Sequence, residues 1–539
     1  MSCSRAGCIA FASSLVVILA QPAAAAQNEK FGDVSFPTSC SAPAQIEFDR
    51  AVAMLHSFFF PETVKAFTAL ARQEPSCAMA YWGIAISQRP NPMVAPFPAE
   101  FMKNGWDAIE AGRAAGAKTQ REKDWIEALA VFFKDYDKVD LHSRTLAYEA
   151  AMARLSERYP DDNEAAIFYA LALNEAADLN DKTYARQFKA AAILQGLEAK
   201  LPNHPGIPHY IIHSYDFAPI CQQGLPAAQR YAELAPTAPH ALHMPSHTFS
   251  MLGMWDQSIA ANLKTVAAGR DYAAKNNLDG LYPVTPHAYD FMQYAYLQLG
   301  QDSKARALAQ EADAVTKVYR PGLGSETGLA AVAARFVLER QDWRAAAGLK
   351  VPVAVNAPPA RAIIHFARAL GAARSADFAA AQADIVKLQE LKSALEKDEP
   401  YWAGQVDIQI TAVRAWLAHG QAHGEEAVKL MRAAADLEDS SEKHVAMENR
   451  LYPMRELLAD LLMEQGQAGA ALVEYEASMK STPQRLRGFF GAARAAGASG
   501  DTAKQDAYFR SLVRLTRDAD SDRTEIRQAR QFIEDNKRM

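Results

Sequence analysis

Ala459, Gly466, Tyr475 and Ser478 recur 34 residues later as Ala493, Gly500, Phe509 and Leu512, and Pro483 closes the first unit. A period of that length accommodates two helices and a turn. Small residues on the first helix let the second pack close, and the aromatic fills the groove between them. From Gln45 onward the chain reads as helix-length amphipathic segments separated by short breaks, with no stretch of strand-like alternation. The expectation is an all-α chain of helical hairpins in series.

Turn patterns between paired helices return as LGMWDQSI at 252–259, LGQDSKA at 299–305, RQDWRAA at 340–346, RSADFAAA at 374–381 and HGEEAV at 423–428. Near the start, Ala51, Met54, Phe67 and Pro75 fit the same template. In these residues and in the 34-residue period the sequence resembles the tetratricopeptide repeat (TPR) family, which implies a right-handed α-solenoid of TPR-like hairpins. The blocks CAMAYWGIA at 77–85 and APHALHMPSHTF at 238–249 also resemble those of exported bacterial repeat proteins. That second likeness implies fold and compartment, and it carries no activity. Prolines interrupt the array at RPNPMVAPFP, residues 89–98, and VPVAVNAPPA, residues 351–360, since each removes a donor and clashes with the preceding turn. The second break divides an N-terminal array, 27–350, which contains a histidine-rich stretch at 203–290, from a plainer C-terminal array, 361–539.

Arg5, the apolar run FASSLVVILA and the small residues ending at Ala26 have the order of a secretory signal peptide, residues 1–26. The expected location is the periplasm or the exterior. No later run approaches the 18 or so apolar residues of a membrane span, so membrane insertion is not expected. Removing Arg5 with the signal turns 57 basic against 63 acidic residues into 56 against 63, a net charge of −7. No basic patch stands out, which argues against nucleic acid as a partner. Export leaves Cys40, Cys77 and Cys221, and the first two are candidates for a bridge between the N-terminal tail and the second hairpin.

Seven of the thirteen histidines fall between Asn203 and Asp290. His209 with His213, and His243 with His247, are spaced i, i+4, which stacks each pair on one helix face where imidazoles can share a metal ion. Pro208 suits a first helical position, and the positive end of the helix dipole keeps His209 neutral. Pro245 either kinks the second helix or begins it, which keeps His240, His243 and His247 within about a turn. His287 can join from the next repeat. With no thiolate supply the candidate ligands suit Zn, Cu or Fe, and a carboxylate such as Asp216 or Asp290 with an open position would let the site activate water. The competing account is a set of packed histidines hydrogen-bonded to Tyr210, Tyr215 and Tyr289 without metal. His56, on an apolar helix, reads as a satisfied core residue.

Two functional readings follow. One is an exported binding protein that recognises a protein, peptide or small ligand on the concave face of the array. The other is a metal-binding protein or metalloenzyme that uses His209, His213, His243, His247, His240 and His287. The spacings match neither HExxH nor CxxC, and whether a reaction is catalysed stays open.

Overall fold

The computed structural model describes residues 29–94 and 96–538, and helices follow one another from Ala42 to Arg538. The expected signal segment lies outside the described residues. Among the described residues the only β pairing is an isolated parallel bridge between Leu281 and Val318, and no helix is long and apolar enough to cross a membrane.

The recurrence in the sequence corresponds to two successive hairpins, Met454–Glu464 with Ala468–Ser481 and Leu486–Ala498 with Thr502–Leu515. Gly466 and Gly500 turn the chain at φ 75° and 87°, in the left-handed region that favours glycine. Ala459 and Ala493 are fully buried, and Tyr475 and Phe509 fill the grooves beside them. Gly491 faces the Tyr475 ring, where a Cβ would have no room. The fold is an all-α solenoid of TPR-like hairpins.

At the other end, the extended tail before Ala42 is tied down by a Cys40–Cys77 disulfide, a separation of 37 residues. Closing a loop of that size removes conformations from the unfolded chain, so the C40S/C77S variant is expected to be less stable by about 3 to 4 kcal/mol in denaturant titrations. A difference below about 1 kcal/mol would mean that the tail is held by its other contacts alone.

Apolar packing divides into two large clusters. One runs from Phe31 to Tyr282, and the other from Val266 to Ala496. The proline-containing stretch at 351–360 stays inside the second cluster, where Val355 packs in the same core as Ala346 and Ala360. Members of the two clusters interleave along the sequence between Met244 and Met292, so the later part of the histidine-rich stretch contributes to both.

The irregular, largely buried segment Ser440–Pro453 crosses between the two halves. Its Glu442 amide donates to the Leu179 carbonyl at 2.8 Å, and Lys182 Nζ and Tyr184 Oη donate to the Glu442 carboxylate at 2.7 and 2.5 Å. Lys443 Nζ donates to Asp216 Oδ2 at 3.0 Å. Thr327 Oγ1 donates to the Ala446 carbonyl at 2.9 Å, and the Glu448 amide to Asp290 Oδ2 at 3.0 Å. On the C-terminal side Tyr401 Oη donates to the Glu442 carbonyl at 2.9 Å.

Candidate metal centre

His209 and His213 project from the helix Gly206–Ser214. That helix begins two residues earlier than Pro208 suggests, with Pro205 at its N-cap. His240 and His243 lie on the short helix Pro239–His243, and His247 on Pro245–Met251. Pro245 therefore starts a second helix, and Met244 joins the two in helical geometry at φ −51° and ψ −38°. His287 comes from the first turn of Val284–Gln298.

These six rings form two triads, His209 with His213 and His240, and His243 with His247 and His287. Within each triad one ligand nitrogen per ring lies within 4.8 Å of the others. Metal–nitrogen bonds of about 2.1 Å hold ligand nitrogens no more than about 4.2 Å apart, so modest side-chain rotations close each set on an ion. The triads are neighbours: the ring centroids of His213 and His247, and of His240 and His243, are each 6.1 Å apart. His240 thus belongs with His209 and His213 rather than with the two histidines that follow it.

The hydrogen bonds fix the tautomers of His209, His243 and His247. Asn262 Nδ2 donates to the Ser258 carbonyl at 2.8 Å, which turns its Oδ1 toward His243 Nδ1 at 2.6 Å. His243 must therefore carry its proton on Nδ1. His247 Nδ1 donates to Asp216 Oδ2 at 2.8 Å. With both rings neutral the two Nε2 atoms, 3.0 Å apart, present lone pairs to each other, a contact that repels unless a proton or a metal ion lies between them. In the other triad His209 Nδ1 donates to the His56 carbonyl at 2.5 Å, leaving Nε2 as an acceptor. Nε2 of His209, of His213 and of His240 are buried and have no hydrogen-bond partner in the protein. Imidazoles that pass one N–H to a carboxylate, amide or carbonyl and keep the other nitrogen free are arranged as metal-binding histidines are.

Burial, reinforced by neighbouring imidazoles, holds His209, His213, His240, His247 and His287 well below the ordinary imidazole range. Burial likewise takes His243 down to about 4, although Asn262 and Asp216 oppose it. All six are neutral at physiological pH, the form that can bind a metal. None is more than 9% exposed.

A third cluster shows the contrast. His56 Nε2 and His204 Nε2 each meet one oxygen of Glu164 at 2.9 Å, His56 Nδ1 meets Tyr210 Oη at 2.9 Å, and the Gly206 amide donates to His204 Nδ1 at 3.2 Å. Every ring nitrogen there has a partner, so His56 is the satisfied core histidine the sequence suggests, and His204 shares its fate. Neither candidate carboxylate is placed as a ligand. Asp216 accepts from His247 and Lys443, while Asp290 accepts from Arg335 Nε at 2.7 Å and from the Glu448 amide. Of the three tyrosines only Tyr210 has its hydroxyl bonded to an imidazole, that of His56, whereas Tyr289 Oη is bonded to Glu311. Cys221 is buried with its thiol pushed up to about 11, so it supplies no thiolate.

Phe58 and Phe291 cover the rings. Phe58 stacks on His240 at 5.3 Å and on His213 at 5.9 Å, and meets His209 edge-on at 4.4 Å. Phe291 approaches His243, His247 and His287 at 4.7 to 5.2 Å. Phe58 takes φ 51°, a conformation costing a non-glycine residue about 1 kcal/mol or more, held here by the packing around it. Sequence reading passed over Phe58, Asn262 and Lys443 because none belongs to a local pattern with the histidines.

No protein-family model matches the chain, and no curated protein is similar in sequence. Among solved structures, a human IFIT1 dimer bound to m7Gppp-AAAA is 10% identical, with 89% of this chain and 91% of that one covered, at a TM-score of 0.36. The Cut9–Hcn1 hetero-tetramer of the APC/C is 11% identical, covering 84% and 76%, at a TM-score of 0.37. Yeast Tom70 is 11% identical, covering 92% and 96%, at a TM-score of 0.26. At these values the likeness carries no function to this chain.

Proposed function

We propose that this chain is an exported helical-repeat metalloprotein whose two histidine triads each hold a transition-metal ion, Zn, Cu or Fe. The observation that carries the reading is the His243–His247 contact: both Nδ1 protons are committed to Asn262 and Asp216, and both Nε2 lone pairs point at one place. Buried lone pairs without donors are costly, and a metal ion removes the cost. Export is supported by the order of charged, apolar and small residues at the N-terminus and by the Cys40–Cys77 bridge, which persists in oxidising compartments.

The rival reading, capture of a protein, peptide or small ligand on the interior surface, finds less support. The largely buried segment Ser440–Pro453 is bonded to Leu179, Asp216, Thr327 and Asp290 and takes up the space beside them.

The test is metal analysis of the full chain purified without a histidine tag, with thermal melting before and after chelation. Two ions per chain and a melting temperature that falls on chelation are expected; protein free of Zn, Cu and Fe with an unchanged melt overturns the reading. Asn262→Ala sharpens the test. Losing the acceptor that fixes the His243 tautomer is expected to weaken one of the two ions by about 10- to 100-fold in competition with a chelator. Equal affinity in the variant would remove Asn262 from the site.

A further inference from the structure

We propose that the two triads work as a single dinuclear copper centre whose ligand is dioxygen. This rests on the metal reading above and adds to it the identity of the metal and the class of molecule it takes.

Proximity is the first argument. With His213 beside His247 and His240 beside His243, each at 6.1 Å between centroids, ions in the two triads are close enough to share a bridging ligand. Three protein ligands per ion leave each a position to offer it.

Charge is the second. All six ligands are neutral, and the formal charges linked to the rings, Asp216 and Lys443, are paired with each other at 3.0 Å. Two divalent ions would place +4 in a buried site with no anion among its ligands, and two copper(I) ions place +2. Their mutual repulsion is about one quarter as large, because it scales with the product of the charges. Imidazole suits copper, and the site lacks the carboxylates that harder ions prefer.

Dioxygen is the bridging molecule that such a pair can take without disturbing this balance. Each copper(I) gives one electron and becomes copper(II), and the O2 receives both as bridging peroxide. No proton moves. The ions rise from +2 to +4 in total while the ligand falls from 0 to −2, so the charge of the buried site stays at +2. Returning the two electrons releases O2 and restores copper(I).

The surroundings are the third argument. Phe58 and Phe291 cover the rings. Beyond Phe58, which lines it, lies a small cavity of ≈ 10 Å³ bounded by Leu55, Phe60, Ile86, Phe168 and Leu171 and by the buried Arg89–Glu175 ion pair. A space of that size has no room for an organic substrate.

The test loads the full chain with copper(I) without air, measures copper per chain, and then admits oxygenated buffer. The expected result is two coppers per chain, one O2 consumed per two coppers, a new intense near-ultraviolet absorption, no copper signal in electron paramagnetic resonance, and reversal on degassing. His287→Gln is expected to retain one copper and to lose at least about tenfold in O2 uptake; should it fail to fold, His240→Gln from the other triad makes the same comparison. Two bound coppers that take up no O2, or that give signals of two isolated copper(II) ions, overturn the dinuclear inference and leave the metal reading standing. Binding of zinc but not copper does the same. Binding of no metal ends both.

Discussion

Replacing His247 with glutamine leaves the chain folded and holding one metal ion instead of two. His247 is the point where the second triad closes, since its Nε2 lies 3.0 Å from that of His243 and its ring centroid 5.7 Å from that of His287. A glutamine amide is a weak ligand, and two imidazoles alone do not complete the set. The fold is expected to survive because no buried charge is abandoned: Asp216, which loses the His247 N–H, keeps Lys443 at 3.0 Å. The first triad loses no ligand. Metal analysis beside circular dichroism reads the result, and a variant that retains both ions removes His247 from the coordination sphere.

That prediction depends on which histidines group together, and this was only half legible in the sequence. The i, i+4 pairs were readable because that spacing advances about 400° around a helix and so returns to nearly the same face. His240 was harder. It precedes His247 by seven residues across two short helices, and three residues before His243 places it about 60° around the axis from that ring. The turn is enough to send it toward the helix Gly206–Ser214, where it joins His209 and His213. The hairpins were legible for a simpler reason. Gly466 and Gly500 are needed for left-handed turns, and Tyr475 and Phe509 for filling grooves, so the period is written in residues that geometry demands.

The outer partners had no such signal. Asn262 and Asp216 reach His243 and His247 from 19 and 31 residues away, and Lys443 reaches Asp216 from 227, distances that only the folded array resolves. Nor could composition separate the two triads from the His56–Glu164–His204 trio. The difference is whether the second nitrogen of each ring finds a partner, and that is decided by Tyr210 and the Gly206 amide in the trio.

The largest change in stability is expected at Arg485, whose guanidinium is fully buried between Glu339 and Glu456. It donates to Glu456 Oε1 and Oε2 at 2.6 and 2.9 Å, to Glu339 Oε1 at 2.8 Å and to Tyr294 Oη at 2.5 Å. Arg485→Met keeps much of the volume but takes from two buried carboxylates the guanidinium bonded to both, leaving them only the more distant Arg335 and Arg487. Breaking a buried pair in this way costs about 3 to 5 kcal/mol, and with two acids abandoned the upper end is expected. Adding Glu339→Gln and Glu456→Gln to the same chain removes both charges and is expected to recover most of the loss. Denaturant titration of the two variants separates charge from packing, and a loss under about 1 kcal/mol in Arg485→Met would show that the network contributes little. The network also bears on the metal centre. Tyr294 and His287 share the helix Val284–Gln298, and Arg485 ties that helix to the start of Leu486–Ala498. With the tie cut, the second triad is expected to hold its ion less tightly than the first, so the single variant should weaken one metal ion while the triple variant restores it.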